Sequence, residues 1–246
     1  MTVELVKQWI KKEILRRGFD GTCGVASFSD VYNSLMPIQQ KELEKVCGDN
    51  FKKFIDYGSI ISIAVFHTEN AIKTINVRRD GEVDYEKWNI YTDEYNRINN
   101  VLNEVCTKLA SVLEGIPLRA TSELGSQVQS VEEYYPAAKI SHREVAEHAG
   151  IGARGKNELI VTKQNGCAVR FNSFITPKAL EKGERTEDLC GDCRACLDSC
   201  RILQRKRELK DYRQQCLDRI KGLELRYSVC GICLRACYEN GDWRKH

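Results

Sequence analysis

Apolar positions along the chain follow two periods. Over residues 2–17, Val3, Val6, Ile10 and Ile14 fall near one helical face, with Thr2 placed to cap the start and Gly18 to end it, which predicts an amphipathic helix. Phe19–Ala26 reads as a short strand. A second helix is predicted from Pro37 towards Tyr57, with Leu43, Val46, Phe51 and Phe54 inward. The near-continuous apolar run Ser59–Phe66 has strand length and predicts a strand buried on both faces. Residues 67–91 are polar and irregular and read as a surface excursion. Ile98, Val101, Leu102, Val105, Leu109, Val112 and Leu113 keep the helical period over 93–114, with Thr92 as cap and Gly115 as stop. Ser141 and Glu144 form a capping box for a short helix ending at Ala149. Glu158–Thr162 and Cys167–Phe174 flank Gln164-Asn165-Gly166 and predict a β-hairpin. After Pro177 the periodicity fades, which puts a domain boundary near 180–188, between units 1–184 and 185–246. Alternating helices and strands predict an α/β core for the first unit.

The composition narrows the classes. With 246 residues, 42% hydrophobic and 30% charged, the chain suits one compact domain plus a small second one, not a disordered chain. The densest apolar run, Ile60–Phe66, is too short to cross a bilayer, so no membrane association is expected. A net charge of +3 demands no nucleic-acid partner. The opening MTVELVKQWIKKEILRR is charged throughout and does not read as a secretory leader, so a cytoplasmic, reducing location is expected. Twelve cysteines in that setting point to metal or catalysis.

Cys23, Cys47, Cys106 and Cys167 are scattered and read as small core residues. The other eight crowd between Cys190 and Cys237. Cys190, Cys193, Cys196 and Cys200 form C-x2-C-x2-C-x3-C, the run of bacterial ferredoxins, whose fourth cysteine serves the other cluster. Zinc prefers paired thiols in a closed tetrahedron, and the triple at 190, 193 and 196 fits that poorly, so two 4Fe-4S clusters are favoured over zinc. The analogy with two-cluster ferredoxins implies Cys190, Cys193, Cys196 and Cys237 for cluster A, and Cys200, Cys216, Cys230 and Cys233 for cluster B. Arg201 and Tyr238 stand where ferredoxins usually carry proline. Residues 201–226 hold nine Lys or Arg against four Asp or Glu, read as a solvated helix face in preference to a patch for RNA or an acidic partner.

The segment Ala149-Gly-Ile-Gly-Ala-Arg-Gly-Lys-Asn157 follows a helix and leads into a strand, the reverse of a dinucleotide fingerprint. Gly150, Gly152 and Gly155 allow close approach to a flat or bulky ligand, and Lys156 can meet an anionic or carbonyl group. HREVAEHAGIGARGKNELIV at 142–161, GCAVRFNSFIT at 166–176 and the cysteine run together resemble the epoxyqueuosine reductase family, related to cobalamin-dependent reductive dehalogenases; RRGFDGTCGVA resembles its opening. The resemblance implies an α/β (α+β) fold, a nitroreductase-like cobalamin-binding-type domain followed by a bacterial two-cluster ferredoxin domain. It implies cofactor binding by Gly150, Gly152, Gly155, Lys156 and Asn157. Electrons pass in this scheme from an external low-potential donor through the clusters to cobalamin, or to a flavin as the alternative.

Three departures bear on the substrate. The family's acidic D-[ST]-A-P motif falls on Pro136, leaving Glu133 and Tyr135 as the nearest proton donors. Its Trp-Ile pair is Ala153-Arg154, and the chain ends nine residues after Cys237, short of the family's tRNA-gripping extension. The expectation is therefore an oxidoreductase on a small molecule or modified nucleoside other than epoxyqueuosine-tRNA. The competing readings are a non-catalytic electron carrier or reductive activator of a partner redox protein, and a zinc or nucleic-acid module supported only by the basic stretch.

Overall fold

The computed structural model describes residues 2–121 and 124–245. Helix α1 (Val3–Leu15) starts at Thr2, whose hydroxyl accepts from the Leu5 amide, and strand β1 (Gly21–Ser27) follows. Ser27 caps α2 (Phe28–Ser34), a helix the apolar period did not announce. The single helix expected from Pro37 is two, α3 (Pro37–Cys47) and α4 (Phe51–Tyr57), divided by a 3-10 turn at Gly48–Asn50. Gly48 has φ of 52°, a conformation that breaks a helix and that glycine adopts without strain. Strand β2 (Ser59–Phe66) matches its expected span.

The expected surface excursion is instead structured and partly buried. It contains α5 (Glu69–Ile72), the two-residue strands β3 (Arg78–Arg79) and β4 (Glu82–Val83), and the first turns of the long helix α6 (Tyr85–Val112). Asp84, not Thr92, caps α6, accepting from the Lys87 amide at 3.0 Å. Ile72, Ile75, Trp88 and Tyr91 are buried, spaced too irregularly to signal a helix from sequence. Strand β5 (Ile116–Pro117), α7 (Leu124–Gln127), α8 (Val131–Ala138) and α9 (His142–His148) follow, the last with the expected Ser141 cap.

The predicted hairpin does not form as a strand pair. Strand β6 (Ala153–Arg154) pairs with β7 (Ile160–Val161), while β8 (Val169–Thr176) joins the main sheet. The Asn-Gly turn survives, closed by the Thr162–Gly166 bridge, but Asn165 Nδ2 donates to the carbonyls of His67 and Ala168 and steers the chain to β2. The main sheet has the order β1-β2-β8-β5 with every pairing antiparallel, so the alternation of helices and strands builds a mixed α/β fold without parallel βαβ units.

Strand β2 shows why its run is apolar throughout. Ile61, Ile63 and Val65 face a core with α1 and α6, while Ile60 and Ala64 face a second core with α2, α4 and α9. Residues 177–189 run without helix or strand, tied to β1 by the Gly183 amide and the Val25 carbonyl at 2.9 Å. The short helices α10 (Ala195–Asp198), α11 (Arg201–Gln204), α12 (Tyr212–Gly222) and α13 (Ile232–Asn240) complete the described chain with a 3-10 turn at Asp242–Lys245. Helices α10 and α13 pack on a third core, in which Leu189, Cys196, Leu234, Cys237 and Trp243 meet Ile72, Ile75, Trp88, Tyr91 and Val161, while α12 lies against α8 and α11. Among the described residues no helix is long and apolar enough to cross a membrane.

The approach of α9 to the sheet depends on Gly24, where a Cβ would stand 2.3 Å from the Ala149 carbonyl oxygen. Gly24→Ala is expected to cost about 1–3 kcal/mol in urea unfolding, since backbone, not a movable side chain, must yield.

Candidate functional site

The eight clustered thiols sort into two groups. Cys190, Cys193, Cys196 and Cys237 line one small cavity with Asn157, Val161, Leu189 and Trp243. Cys196 lies within electrostatic reach of Cys237, Cys190 and Cys193. The second group joins Cys216 to Cys230 and Cys200, and Cys233 to all three. Cys233 also feels Cys196, so the groups adjoin. Both groups draw on both ends of the segment, because Cys200 leaves the first run and Cys237 leaves the second. Burial pushes the Cys196 and Cys216 thiols each up to about 11 and raises Cys233 as well. Burial thus favours the protonated form of Cys196, Cys216 and Cys233, and a bound metal would make them thiolates. Among the described residues no three His, Cys, Asp or Glu side chains converge on a single ion.

Local structure presents these sulfurs. Asp188 accepts from the Cys190 amide at 2.8 Å, the Cys193 amide turns back to the Cys190 carbonyl at 2.8 Å, and Gly191 between them has φ of 43°. Gly231, between Cys230 and Ile232, has φ of 83°, and a Cβ there would stand 2.7 Å from Tyr91 Cε1. Trp88 Nε1 donates to the Cys230 carbonyl at 2.8 Å. The basic stretch is largely engaged with the protein itself. Lys206 pairs with Glu158, Arg226 with Asp93, and Lys221 donates to the Val128 carbonyl at 2.7 Å.

The glycine segment faces protein. A Cβ on Gly150 would stand 2.1 Å from the Glu184 carbonyl oxygen, one on Gly152 2.2 Å from that of Val161, and one on Gly155 2.7 Å from Val161 Cγ2. Lys156 Nζ donates to the carbonyls of Gly191 and Cys193 at 2.6 and 2.9 Å, clamping the first cysteine turn. Asn157 Nδ2 donates to Cys167 Sγ at 3.4 Å. Of the segment, Arg154 alone lines a large cavity on the other side, and Glu144 and Glu147 neutralise it.

That cavity, about 620 Å³, lies between α3, α8, α9 and α12. Tyr134 and Tyr135 form one wall, and Arg143, Arg170 and Arg213 reach it from three elements. The Tyr135 hydroxyl accepts from Arg213. Glu133 is not in the lining; its carboxylate accepts from the Gln129 amide at 2.7 Å and caps α8. Arg143 donates to the Glu158 carbonyl at 2.7 Å and Arg170 to Asn99 Oδ1 at 3.1 Å. Among the described residues neither has a carboxylate within ion-pair reach, and burial lowers the Arg143 guanidinium below its usual range. His142 is buried in the wall between Ser173 Oγ at 3.1 Å and the Arg119 carbonyl at 3.0 Å. The carbonyl can only accept, so Nε2 carries the hydrogen and Nδ1 accepts from Ser173. Arg143 and Arg170 escaped the reading of the sequence. The polar intrusion of Arg170, Asn172 and Ser173 into an apolar strand was the one available signal.

A mixed α/β core carrying a docked, cysteine-rich segment is the class these features define. No family model matches the chain. It is similar to the epoxyqueuosine reductase of Listeria monocytogenes, 42% identical over 62 residues, covering 25% of this chain and 16% of that protein. To that of Aliivibrio fischeri it is 24% identical over 125 residues, covering 51% and 30% respectively. The solved epoxyqueuosine reductase of Streptococcus thermophilus shares the fold, with a TM-score of 0.52 at 20% identity over 98% of this chain and 67% of that one. The chain is thus similar to epoxyqueuosine reductases in part of its sequence and in fold, and its matches span 16% and 30% of those two curated relatives.

Burial pulls the His142 ring down to about 4 from an ordinary 6.5. The unfolded chain therefore binds a proton below pH 6.5 that the folded chain refuses until about pH 4, and stability falls through that window as pH drops. The loss from this group is expected to reach about 3 kcal/mol, read by urea unfolding, and His142→Asn should flatten the slope. Glu13, held at about 2 by hydrogen bonds from Lys108 and Arg17, acts in a lower window, below 4.5.

Proposed function

We propose that the chain is an iron–sulfur oxidoreductase that carries two 4Fe-4S clusters and delivers their electrons to a cofactor in the large cavity, where a bound substrate is reduced. The observation that carries this reading is the sorting of eight thiols into two adjoining groups of four, each completed by one cysteine from the opposite run. A cubane takes each thiolate at a separate iron, which suits spread groups better than a single ion does. Cluster A takes Cys190, Cys193, Cys196 and Cys237, and cluster B takes Cys200, Cys216, Cys230 and Cys233. The domain division near 180–188, nitroreductase-like before and ferredoxin-like after, belongs to the same reading.

For the cofactor, the two guanidiniums without carboxylates, Arg143 and Arg170, suit a phosphate, which both cobalamin and a flavin mononucleotide carry. Cobalamin is the first reading because the named relatives are epoxyqueuosine reductases, and flavin is the alternative. Bound there, either supplies the strongly reducing centre that amino-acid side chains lack. The chain's residues supply placement and a proton. Tyr135 is the donor within the cavity, since its oxygen accepts from Arg213 and leaves its own hydrogen free. Glu133 is set aside, because it caps α8. Lys156 and Asn157 serve the cluster side, holding the first cysteine turn and its neighbour.

The electron-carrier reading needs clusters and a docking face but no cavity, and a void of about 620 Å³ favours an enzyme. The substrate class stays a small molecule or modified nucleoside. Arg154, whose charge Glu144 and Glu147 take up, adds little cationic character to the cavity, and the relatives lend no support to excluding epoxyqueuosine.

After anaerobic reconstitution the wild-type chain is expected to hold about eight iron and eight acid-labile sulfide. Cys193→Ala and Cys216→Ala should each lose about half, from different clusters. Cobalamin added to the reconstituted chain should shift its corrin absorption, and Arg143→Ala with Arg170→Ala should weaken that binding at least about tenfold. No shift with cobalamin or flavin would leave the carrier reading standing instead.

A further inference from the structure

Helix α12 supplies the large cavity with Arg213, the one lining residue that comes from the cysteine-rich segment, and it stands there without a core. None of its 11 residues is buried, and none takes part in the three apolar cores. Its flanks are anchored, Lys206 on Glu158 and on the Lys156 carbonyl at 3.0 Å, and Leu223 and Leu225 against the third core. A helix of this length does not persist in water by itself. Its partner across the cavity wall is α8 with the turn before it. Gln214 Oε1 accepts from the Val131 amide at 3.1 Å, and Lys221 Nζ donates to the Val128 carbonyl at 2.7 Å. Arg213 donates to the Tyr135 hydroxyl and stands 4.0 Å from the Glu158 carboxylate. These bonds are exposed or half-buried, where each contributes little net stability. Gln214 and Lys221 share the face towards α8, and Cys216, two residues after Gln214, is on the opposite side of the helix. In the two-cluster reading Cys216 is a ligand of cluster B, whose other ligands, Cys200, Cys230 and Cys233, all lie outside α12.

We propose that α12 is a movable wall of the large cavity, latched by cluster B: ligation of Cys216 holds the helix on α8 and Arg213 on Tyr135, and an unfilled cluster B releases it. This latch rests on the two-cluster reading above. Binding of a metal centre is folding free energy for the segment that supplies the ligand. Here that ligation works beside a few weak hydrogen bonds and no buried apolar side chain, so it decides whether α12 stays. Filling of cluster B and completion of the cavity then become one event. Arg213 reaches the Tyr135 hydroxyl only in a chain whose electron path is assembled.

The test is hydrogen–deuterium exchange read by mass spectrometry on the full, reconstituted chain, with Cys216→Ala, Cys230→Ala and Cys193→Ala beside the wild type and iron counted in each. The first two remove ligands of cluster B, one on α12 and one outside it, and the third removes a ligand of cluster A; each should lose about half of the iron. In Cys216→Ala and Cys230→Ala the amides of α12, and the Val131 amide that Gln214 holds, should exchange at least about tenfold faster than in the wild type, while β2 and α6 keep their protection. Cys193→Ala should leave α12 as slow as in the wild type. Trypsin should cut after Arg213 and Arg219 earliest in the two cluster B variants. Equal protection of α12 in all four chains would overturn the proposal, leaving the helix held by its protein contacts alone. An unprotected α12 in the wild type loaded with both clusters would overturn it, as would release in Cys193→Ala equal to that in Cys216→Ala. Release in Cys216→Ala alone, with cluster B lost from both of its variants, would overturn it as well, and so would full iron in Cys216→Ala. Loss of protection in β2 together with α12 would count against it too, because a latch on one surface helix leaves the sheet standing. A wild-type chain with too little iron for two clusters would overturn the two-cluster reading first, before any variant is compared.

Discussion

The cysteine-rich segment cannot fold on its own apolar content. Helices α10 and α11 have four residues each, far below the length at which a helix holds itself together in water. Its buried apolar side chains are few, and they meet the start of α6 and strand β7 in a shared core. Directed bonds then fix the register of that docking. Trp88 holds Cys230, Lys156 holds the turn from Gly191 to Cys193, and Arg235 donates to the Ile75 carbonyl at 2.6 Å. The positions of the thiols on α10, α13 and the two cysteine turns follow from this interface, while Cys216 is carried by α12 against α8 and α11.

The same interface joins the thiols to the large cavity. Glu158 is the hinge of that connection, in a left-handed conformation with φ of 65°. Its carbonyl accepts from Arg143 in the cavity wall, and its carboxylate takes Lys206 from the cysteine-rich segment. One residue earlier, Asn157 faces the thiols, and four residues earlier Arg154 faces the cavity. The stretch between α9 and β7 thus has a cavity side and a sulfur side. Its glycines are required by the close approach of protein backbone, which the carbonyl contacts at Gly150 and Gly152 make explicit.

Much of this was legible in the sequence where one local rule dominated. Strand β2 could be read to the residue because an eight-residue apolar run between polar flanks admits little else. The caps at Thr2 and Ser141 followed from side-chain chemistry. Reading failed where tertiary contacts overrode local pattern. Ile72, Ile75, Trp88 and Tyr91 look dispersed among polar residues because their partner is a remote segment. The Asn-Gly turn promised a hairpin, but β8 found a better partner in β2, where both faces are covered. The cavity was the least legible part, since Arg143, Arg170, Arg213 and Tyr135 come together from four separate elements.

The central claim is that two groups of thiols hold two clusters side by side. The most direct measurement is the paramagnetic resonance spectrum of the reconstituted chain as it is reduced stepwise. Two adjoining 4Fe-4S centres predict a simple signal at partial reduction that splits and broadens when both clusters carry an unpaired electron. A stoichiometric zinc content with no iron signal, or a single signal that stays unsplit at full reduction, would contradict it.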